Sequence, residues 1–178
     1  LVFLLPIART LLATRISSRD LKFFAARGLV HTLAVILWFY AMTQIPIAEV
    51  TAMNYLNPVY VTLGAAIFLG ETLALRRILA VVAALLGVVV ILRPGFREIE
   101  TGHLAMLATA ALFGASYLFA KPLSGRYSAT MVVAMLSGTV TVGLAPFAFA
   151  VWRTPTVADL GWMFLVAAFA TAGHYTMT

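Results

Sequence analysis

The side chains best suited to chemistry lie in one apolar stretch, residues 46–77. It carries a carboxylate, Glu49, and two amides, Asn54 and Asn57, among residues otherwise suited to lipid or to a protein interior. Polar groups at membrane depth are costly and generally face a bundle interior or a water-filled cavity. Pro58 removes one backbone hydrogen bond within the same stretch and opens the helix locally. The stretch is therefore predicted to form the wall of a pathway.

One helical face of this stretch combines polar side chains with a small residue. At about 100° per residue, the face covers an arc of about 80° and holds Glu49, Met53, Asn57, Tyr60 and Gly64. We interpret it as substrate-lining, with Asn57 and Tyr60 contacting the substrate and Glu49 as a candidate proton or cation partner. The alternative is that Asn57 satisfies the backbone carbonyl freed by Pro58 and that Glu49 is hydrated near the membrane surface.

Aromatic residues and histidines on two other segments extend the candidate site. Trp38, Phe39 and Tyr40 are consecutive, and Trp38 and Tyr40 are predicted to line a cavity that stacks flat organic solutes. An interfacial aromatic belt or simple packing is the alternative. His174 is predicted to hydrogen-bond a substrate or to titrate with it, the alternative being a neighbouring helix as its partner. His31 is predicted to be a hydrogen-bonded packing residue.

The composition is that of an integral membrane protein. The 178 residues are 63% hydrophobic and 10% charged, with a mean hydropathy of +1.03. Soluble domains are about 45–50% apolar and about 25% charged. The net charge of +6 is carried in short loops rather than on one soluble face, so no nucleic-acid binding is predicted.

The sequence offers little support for catalysis or for a bound cofactor. It has no cysteine, which excludes disulfides and thiolate metal sites. The patterns HExxH and GxSxG, a pair of acids with a histidine at ligand spacing, and Gly-rich phosphate loops are all missing from it. We therefore predict no catalytic residue, no metal site and no cofactor.

Apolar segments recur along the whole chain, joined by short loops. Their approximate positions are 1–14, 28–43, 46–70, 78–92, 104–120, 129–152 and 160–178. This pattern predicts an all-α, polytopic transmembrane bundle. Small residues spaced four apart favour close helix packing in lipid; such pairs are Ala48 with Ala52, Ala83 with Gly87, and Ala110 with Gly114. Both ends lie within apolar runs, and we expect the sequence to be a fragment.

Basic residues are distributed unevenly between alternate loops, which predicts the orientation in the membrane. One side has eight, namely Arg15, Arg19, Lys22, Arg27, Arg76, Arg77, Lys121 and Arg126. The other side has three, namely Arg93, Arg97 and Arg153. The bias places the first, third and fifth loops in the cytoplasm, and the loop from Arg93 to His103 in the periplasm or exterior.

An ordered set of short motifs over nearly seventy residues resembles the EamA-type repeat of the drug/metabolite transporter superfamily. The motifs are Arg27-Gly28, Trp38-Phe39-Tyr40-Ala41, Ile45-Pro46 with Ala48-Glu49, Pro58, Leu69-Gly70-Glu71, Arg76-Arg77, Gly87 and Arg93-Pro94-Gly95. Gly173-His174 is similar to the corresponding helix of a second repeat.

The resemblance implies a ten-helix fold of two inverted five-helix repeats with both termini cytoplasmic. Residues 1–95 would be the end of the first repeat, from part of helix two to helix five. Residues 102–178 would begin the second repeat, as helices six to eight. It also implies a central cavity that includes the helices bearing Trp38, Asn57 and His174. Glu71 is the family's marker at a helix end, and we expect it to pair with Arg76 or Arg77.

Together these features predict a multi-pass inner-membrane secondary transporter that moves a small organic metabolite by alternating access. Amino acids, vitamins and nucleoside-like compounds are the substrate classes that the resemblance implies. The predicted partners are the substrate and the lipid bilayer, with a homodimer as a candidate assembly. Two alternatives stay open, namely a membrane-embedded enzyme and a non-transporting membrane scaffold.

Overall fold

The computed structural model describes residues 14–92 and 98–176, the last six of these by their backbone. Within those ranges the secondary structure is entirely helical, which confirms the predicted all-α class. The helices are α1 (Ser18–Gln44), α2 (Ile47–Asn54), α3 (Asn57–Leu69), α4 (Leu75–Leu92), α5 (Thr101–Ser124), α6 (Ala129–Ala150) and α7 (Val157–Thr176). The predicted segment 1–14 and the Arg93-Pro94-Gly95 motif lie outside the described residues, apart from Thr14.

Five spans of the described chain are long and apolar enough to cross a membrane, which makes this a multi-pass membrane protein. They are α1, α2 together with α3, α4, α5 and α6. α7 contains a shorter apolar helix, Val157–Ala170. The predicted segments from 28 onward are therefore confirmed as helices.

The first described helix begins earlier than predicted. Ser17 caps it, because the Ser17 hydroxyl accepts a hydrogen bond from the backbone N–H of Asp20 at 3.1 Å. Arg19 and Lys22, predicted to lie in a loop, are therefore on α1. Arg27 is also helical and is buried. Good capping geometry at Ser17 outweighs the charged composition of this turn.

Inter-helix contacts fix the relative directions of the helices. Successive contacts between α1 and α5 run in opposite senses, because His31 meets Ser116 while Tyr40 meets Thr101. The two helices are therefore antiparallel. α1 and α6 are parallel, because Gly28 meets Thr139 and Thr32 meets Gly143.

Helix α5 lies at the centre of the bundle and contacts α1, α2 and α3. Its approach to α3 is close because Ala110 is fully buried and Gly114 leaves no room for a side chain. A Cβ added at Gly114 would lie 2.7 Å from Tyr60 Cβ. The predicted close packing at Ala110 and Gly114 is therefore confirmed. At Gly87 an added Cβ would meet no described atom within 4 Å.

One end of the bundle is held together by ion pairs from Glu71, in the loop after α3, to the start of α4 and the end of α5. Glu71 pairs with Arg77 at 3.2 Å and also with Lys121 at the end of α5. The predicted partnership of Glu71 with Arg77 is thus confirmed. These contacts bring the third and fifth loops to the same end, as the predicted orientation requires.

The start of α1 reaches the same end. Asp20 accepts hydrogen bonds from Arg126 at 2.6 Å and from the Tyr127 hydroxyl at 3.0 Å. Desolvation, followed by the hydrogen bond to Asp20, raises the pKa of Tyr127. The three loops predicted to share one side therefore meet there.

Candidate functional site

The candidate site is built on an interruption of the second span. α2 ends at Asn54 and α3 begins at Asn57, because Pro58 has no N–H to donate to the carbonyl of Asn54. Between them the chain makes tight turns: the Tyr55 N–H donates to a carbonyl three residues back at 3.2 Å, and the Leu56 N–H does likewise at 3.0 Å. The predicted local opening is confirmed, and it lies just before the proline.

Asn57 stands at this interruption with one half of its amide unsatisfied. Its Nδ2 donates to Asn54 Oδ1 at 3.1 Å. Its Oδ1 is buried, and no hydrogen-bond partner for it exists among the described residues. An unsatisfied buried acceptor costs about 1–3 kcal/mol. The donor is used on a side chain rather than on the freed backbone carbonyl, so the alternative interpretation of Asn57 is not the arrangement observed.

A cavity of about 500 Å³ opens beside the interruption. Its volume falls within the range of about 300–1,000 Å³ that is typical of small-molecule sites. It is lined by Asn54, Tyr55, Asn57, Pro58, Val61, Thr62 and Tyr117. The lining therefore combines amide and hydroxyl groups with apolar side chains.

Tyr60 occupies a different position from Asn57. It packs against the buried cluster of Leu56, Val59 and Ala110, next to Gly114. It is not among the residues that line the cavity beside Asn57. The two residues predicted to share a lining surface are therefore separated in this conformation.

Trp38 lies inside the bundle, whereas Tyr40 lies at the end of the bundle where α5 begins. The Trp38 ring meets Phe113 of α5 edge-on, with centroids 6.4 Å apart. Trp38 Nε1 is buried and finds no hydrogen-bond partner in the described part of the chain. The Tyr40 hydroxyl instead lies 3.0 Å from Thr101 Oγ1, and the side chain is exposed. The aromatic run therefore places these two residues in separate surroundings.

The two predicted histidines differ in what the structure describes. His31 Nδ1 lies 3.1 Å from Ser116 Oγ, and its ring centroid is 4.7 Å from that of Phe113. This confirms His31 as a hydrogen-bonded packing residue. The backbone of His174 belongs to α7, and its side chain lies outside the described residues.

Glu49 meets a histidine that the sequence patterns did not single out. Glu49 Oε2 lies 2.9 Å from His103 Nε2, and the His103 side chain is 1% exposed. The backbone N–H of Glu100 donates to His103 Nδ1 at 3.0 Å. Nδ1 must therefore be unprotonated, so Nε2 carries a proton and donates it to Glu49. The spacing of Glu100 and His103 at a helix start was the available signal.

The described residues offer no candidate metal site. No group of three or more histidine, cysteine, aspartate or glutamate side chains there could hold a metal ion. The polar groups at the interruption are hydrogen-bond donors and acceptors.

The chain is similar in sequence to several proteins that are named as transporters. The chain is 34% identical over 157 residues to a riboflavin transporter of Rhizobium johnstonii, covering 85% of this chain and 51% of that protein. It is 22% identical to a pseudopaline exporter of Pseudomonas aeruginosa (92% and 58% covered). It is 24% identical to an S-adenosylmethionine uptake transporter of Rickettsia prowazekii (79% and 48% covered).

The chain spans about half the length of the curated relatives it matches. No solved structure matches it. The model of the EamA-like transporter family matches residues 1–93, more than half of the sequence. With the confirmed helical spans and the motif order described above, this shows that the chain belongs to the EamA-like transporter family.

Proposed function

We propose that this chain is part of a secondary transporter that moves a small organic metabolite across a membrane by alternating access. Membership of a transporter family and the multi-pass helical bundle support this class of function. The relatives named above are described as carriers of riboflavin, pseudopaline and S-adenosylmethionine. They support a metabolite such as a vitamin, an amino acid or a nucleoside-like compound.

The observation that carries the proposal is the unsatisfied Asn57 Oδ1 at an interrupted span. Transporters bind substrates near the bilayer midplane at discontinuous helices, where the broken backbone lines a cavity. Asn57 Oδ1 offers a buried acceptor at the interruption, and Trp38 Nε1 offers a buried donor on α1. Trp38 does not line the cavity beside Asn57 in this conformation, so a solute with both a donor and an acceptor would satisfy the two groups in a conformation that brings them to one site. His174 and Tyr60 are proposed to join them in other conformations of the cycle.

Coupling is proposed to involve Glu49. Its carboxylate accepts a hydrogen bond from His103. This pair lies at the end of the bundle opposite the ion pairs of Asp20 and Glu71. A carboxylate with a histidine donor can exchange a proton with the aqueous phase on that side. The two repeats, residues 1–95 and 102–178, would move against each other around the site in the complete protein. We place that protein in the inner membrane, with a homodimer as its candidate assembly.

The test is counterflow with the full-length protein in proteoliposomes. Vesicles loaded with pooled cell extract are assayed by mass spectrometry for compounds that cross faster than in empty vesicles. Selective passage of one compound class, lost in Asn57→Leu, is the expected result. Thr51→Val is the matched control, because Thr51 is an exposed polar residue of the same span whose hydroxyl bonds only its own helix at Ile47.

Two results would contradict the proposal. Equal passage in Asn57→Leu and in the unaltered protein would remove Asn57 from the pathway. No selective passage by correctly inserted protein, under proton gradients of either direction, would favour a non-transporting scaffold. Chemical conversion of one compound in the extract would instead favour an enzyme.

A further inference from the structure

Arg27 is a charged residue buried within the bundle. It lies on α1, nine residues after Ser18, which corresponds to about 13 Å along the helix axis. Its relative exposure is 6%, and its neighbours Phe24 and Val132 are buried as well. An arginine stays protonated in proteins, so this site holds a positive charge away from water.

Only part of the Arg27 guanidinium is engaged. Nη1 donates to the backbone carbonyl of Val132 on α6 at 3.0 Å. Nε is buried and has no hydrogen-bond partner among the described residues. In residues 14–92 and 98–176, no carboxylate lies within salt-bridge distance of Arg27, and the nearby Asp20 is engaged by Arg126 and Tyr127.

The unsatisfied edge has the shape of an anion site. Nε and Nη2 form one side of the planar guanidinium, and this side binds carboxylate or phosphate oxygens through two parallel hydrogen bonds. The hydrogen bond to the Val132 carbonyl engages Nη1 and leaves Nε without a partner among the described residues. Buried charges in proteins are normally paired, so the arrangement calls for a negatively charged partner.

Further polar groups follow on the same helix face. His31 lies one helical turn after Arg27 and is hydrogen-bonded to the buried Ser116 of α5. Gly28 lets α6 approach, since an added Cβ there would overlap Thr139. Arg27 is therefore tied to α6 through Val132, and His31, one turn later, is tied to α5 through Ser116.

We propose that the Nε edge of Arg27 is a binding site for an oxyanion, a carboxylate or a phosphate, and that the transported metabolite supplies it. The second part rests on the proposed transport function. A lipid headgroup phosphate has the same chemistry, so the experiment distinguishes the two sources. The site is separate from the Asn57 cavity, whose lining residues do not include Arg27.

The binding test uses the full-length protein in nanodiscs of phosphatidylcholine. Sodium phosphate and sodium acetate are titrated against sodium chloride at equal ionic strength, and the melting temperature is followed by intrinsic fluorescence. We expect phosphate or acetate to raise the melting temperature, since a ligand that binds only the folded state stabilises it. Arg27→Gln should weaken the apparent affinity at least tenfold, and Lys22→Gln, an exposed cation on the same helix, should not.

Arg27→Lys keeps the charge but removes the planar fork, so its affinity for the anion should fall between the affinities of Arg27→Gln and Lys22→Gln. It also carries the test if Arg27→Gln does not elute as a single folded species. An unaltered protein that ignores both anions, or an Arg27→Gln protein with unchanged affinity, would overturn the site.

Two further measurements decide whether a lipid headgroup or the transported metabolite supplies the oxyanion. In the first, the protein is placed in phosphatidylglycerol nanodiscs without added anion. A higher melting temperature there than in phosphatidylcholine, absent in Arg27→Gln, would assign the site to lipid and overturn the substrate role. Counterflow in which Arg27→Gln loses only carboxylate- or phosphate-bearing compounds would support the substrate role. Anion binding through Arg27 without any transport would refute the transport function alone, whereas normal transport of anionic compounds by Arg27→Gln would refute this inference alone.

Discussion

Glu49 and His103 are 54 residues apart in the chain, yet Glu49 Oε2 and His103 Nε2 lie 2.9 Å apart. The bond links the start of α2 to the first turn of α5. It also uses a histidine whose other ring nitrogen accepts from the backbone N–H of Glu100. One side chain therefore caps a helix and holds a carboxylate that is 19% exposed.

The first prediction concerns the energy of this contact. We expect Glu49→Leu and His103→Leu to be non-additive, with a coupling free energy of about 1–3 kcal/mol, because each change removes the same part-buried hydrogen bond. Thermal or denaturant unfolding of both single variants and the double variant measures it. Simple additivity of the two effects would show that the pair contributes nothing as a pair.

The second prediction concerns the approach of α3 to α5. Gly114→Ala should lower the free energy of unfolding by about 1–3 kcal/mol, since its Cβ would lie 2.7 Å from Tyr60 Cβ. Gly87→Ala is the matched control, because a Cβ there would meet no described atom within 4 Å. It should be neutral or slightly stabilising, as alanine favours the helix. Equal effects at the two sites would refute the close approach.

The third prediction is a pH dependence at the end that carries Asp20. Desolvation and the hydrogen bond to Asp20 raise the pKa of Tyr127 in the folded state. The folded state therefore keeps this proton when the unfolded state has lost it. The stability from this bond is present below about pH 10, the ordinary tyrosine pKa, and is lost as pH rises through the raised value.

Unfolding of the unaltered protein and of Tyr127→Phe, followed from pH 8 to 11.5, checks this. The decline in stability between these limits should be smaller in Tyr127→Phe, because phenylalanine has no proton to lose. Identical pH profiles of the two proteins would mean that Tyr127 does not contribute to the decline in stability.

Several of these features could be predicted from the sequence because their cause is local. Pro58 opens its own helix, and Glu71 reaches Arg77 across a short linker. The partnership of Glu49 with His103 could not be predicted, since it depends on how α2 and α5 pack. Arg27 was predicted as a loop residue from its charge. The capping of α1 by Ser17 makes this segment helical, and the packing of α1 against α6 buries Arg27.

The candidate-site residues differ in how much the sequence could predict about their surroundings. Asn57 was identified because an amide beside a mid-span proline is unusual in an apolar segment. Tyr60 was assigned to the same surface by helical periodicity, which does not show which side of α3 packs against α5, and Tyr60 packs beside Ala110 and Gly114. The burial of Trp38 Nε1 depends on Phe113 and other residues of α5, and helical periodicity along one segment carries no information about them.

The last prediction separates stability from transport at the interruption of the second span. Pro58→Ala restores an N–H that can donate to the carbonyl of Asn54, so α2 and α3 can join into one helix. Pro58 lies in the first turn of α3, where a proline leaves no helix hydrogen bond unmade, so we expect the melting temperature to rise only slightly through the added hydrogen bond. A continuous helix would also turn Asn57 and close the opening beside it, so counterflow should fall at least tenfold.

Pro122→Ala is the matched control, because Pro122 lies within the last turn of α5, away from the cavity. It should leave counterflow unchanged. If Pro58→Ala raised the melting temperature and transported at the normal rate, the interruption would be a folding feature rather than part of the pathway. If it lowered the melting temperature, the interrupted geometry would itself be the more stable packing against α5, because Tyr60 and Leu56 depend on it for their contacts.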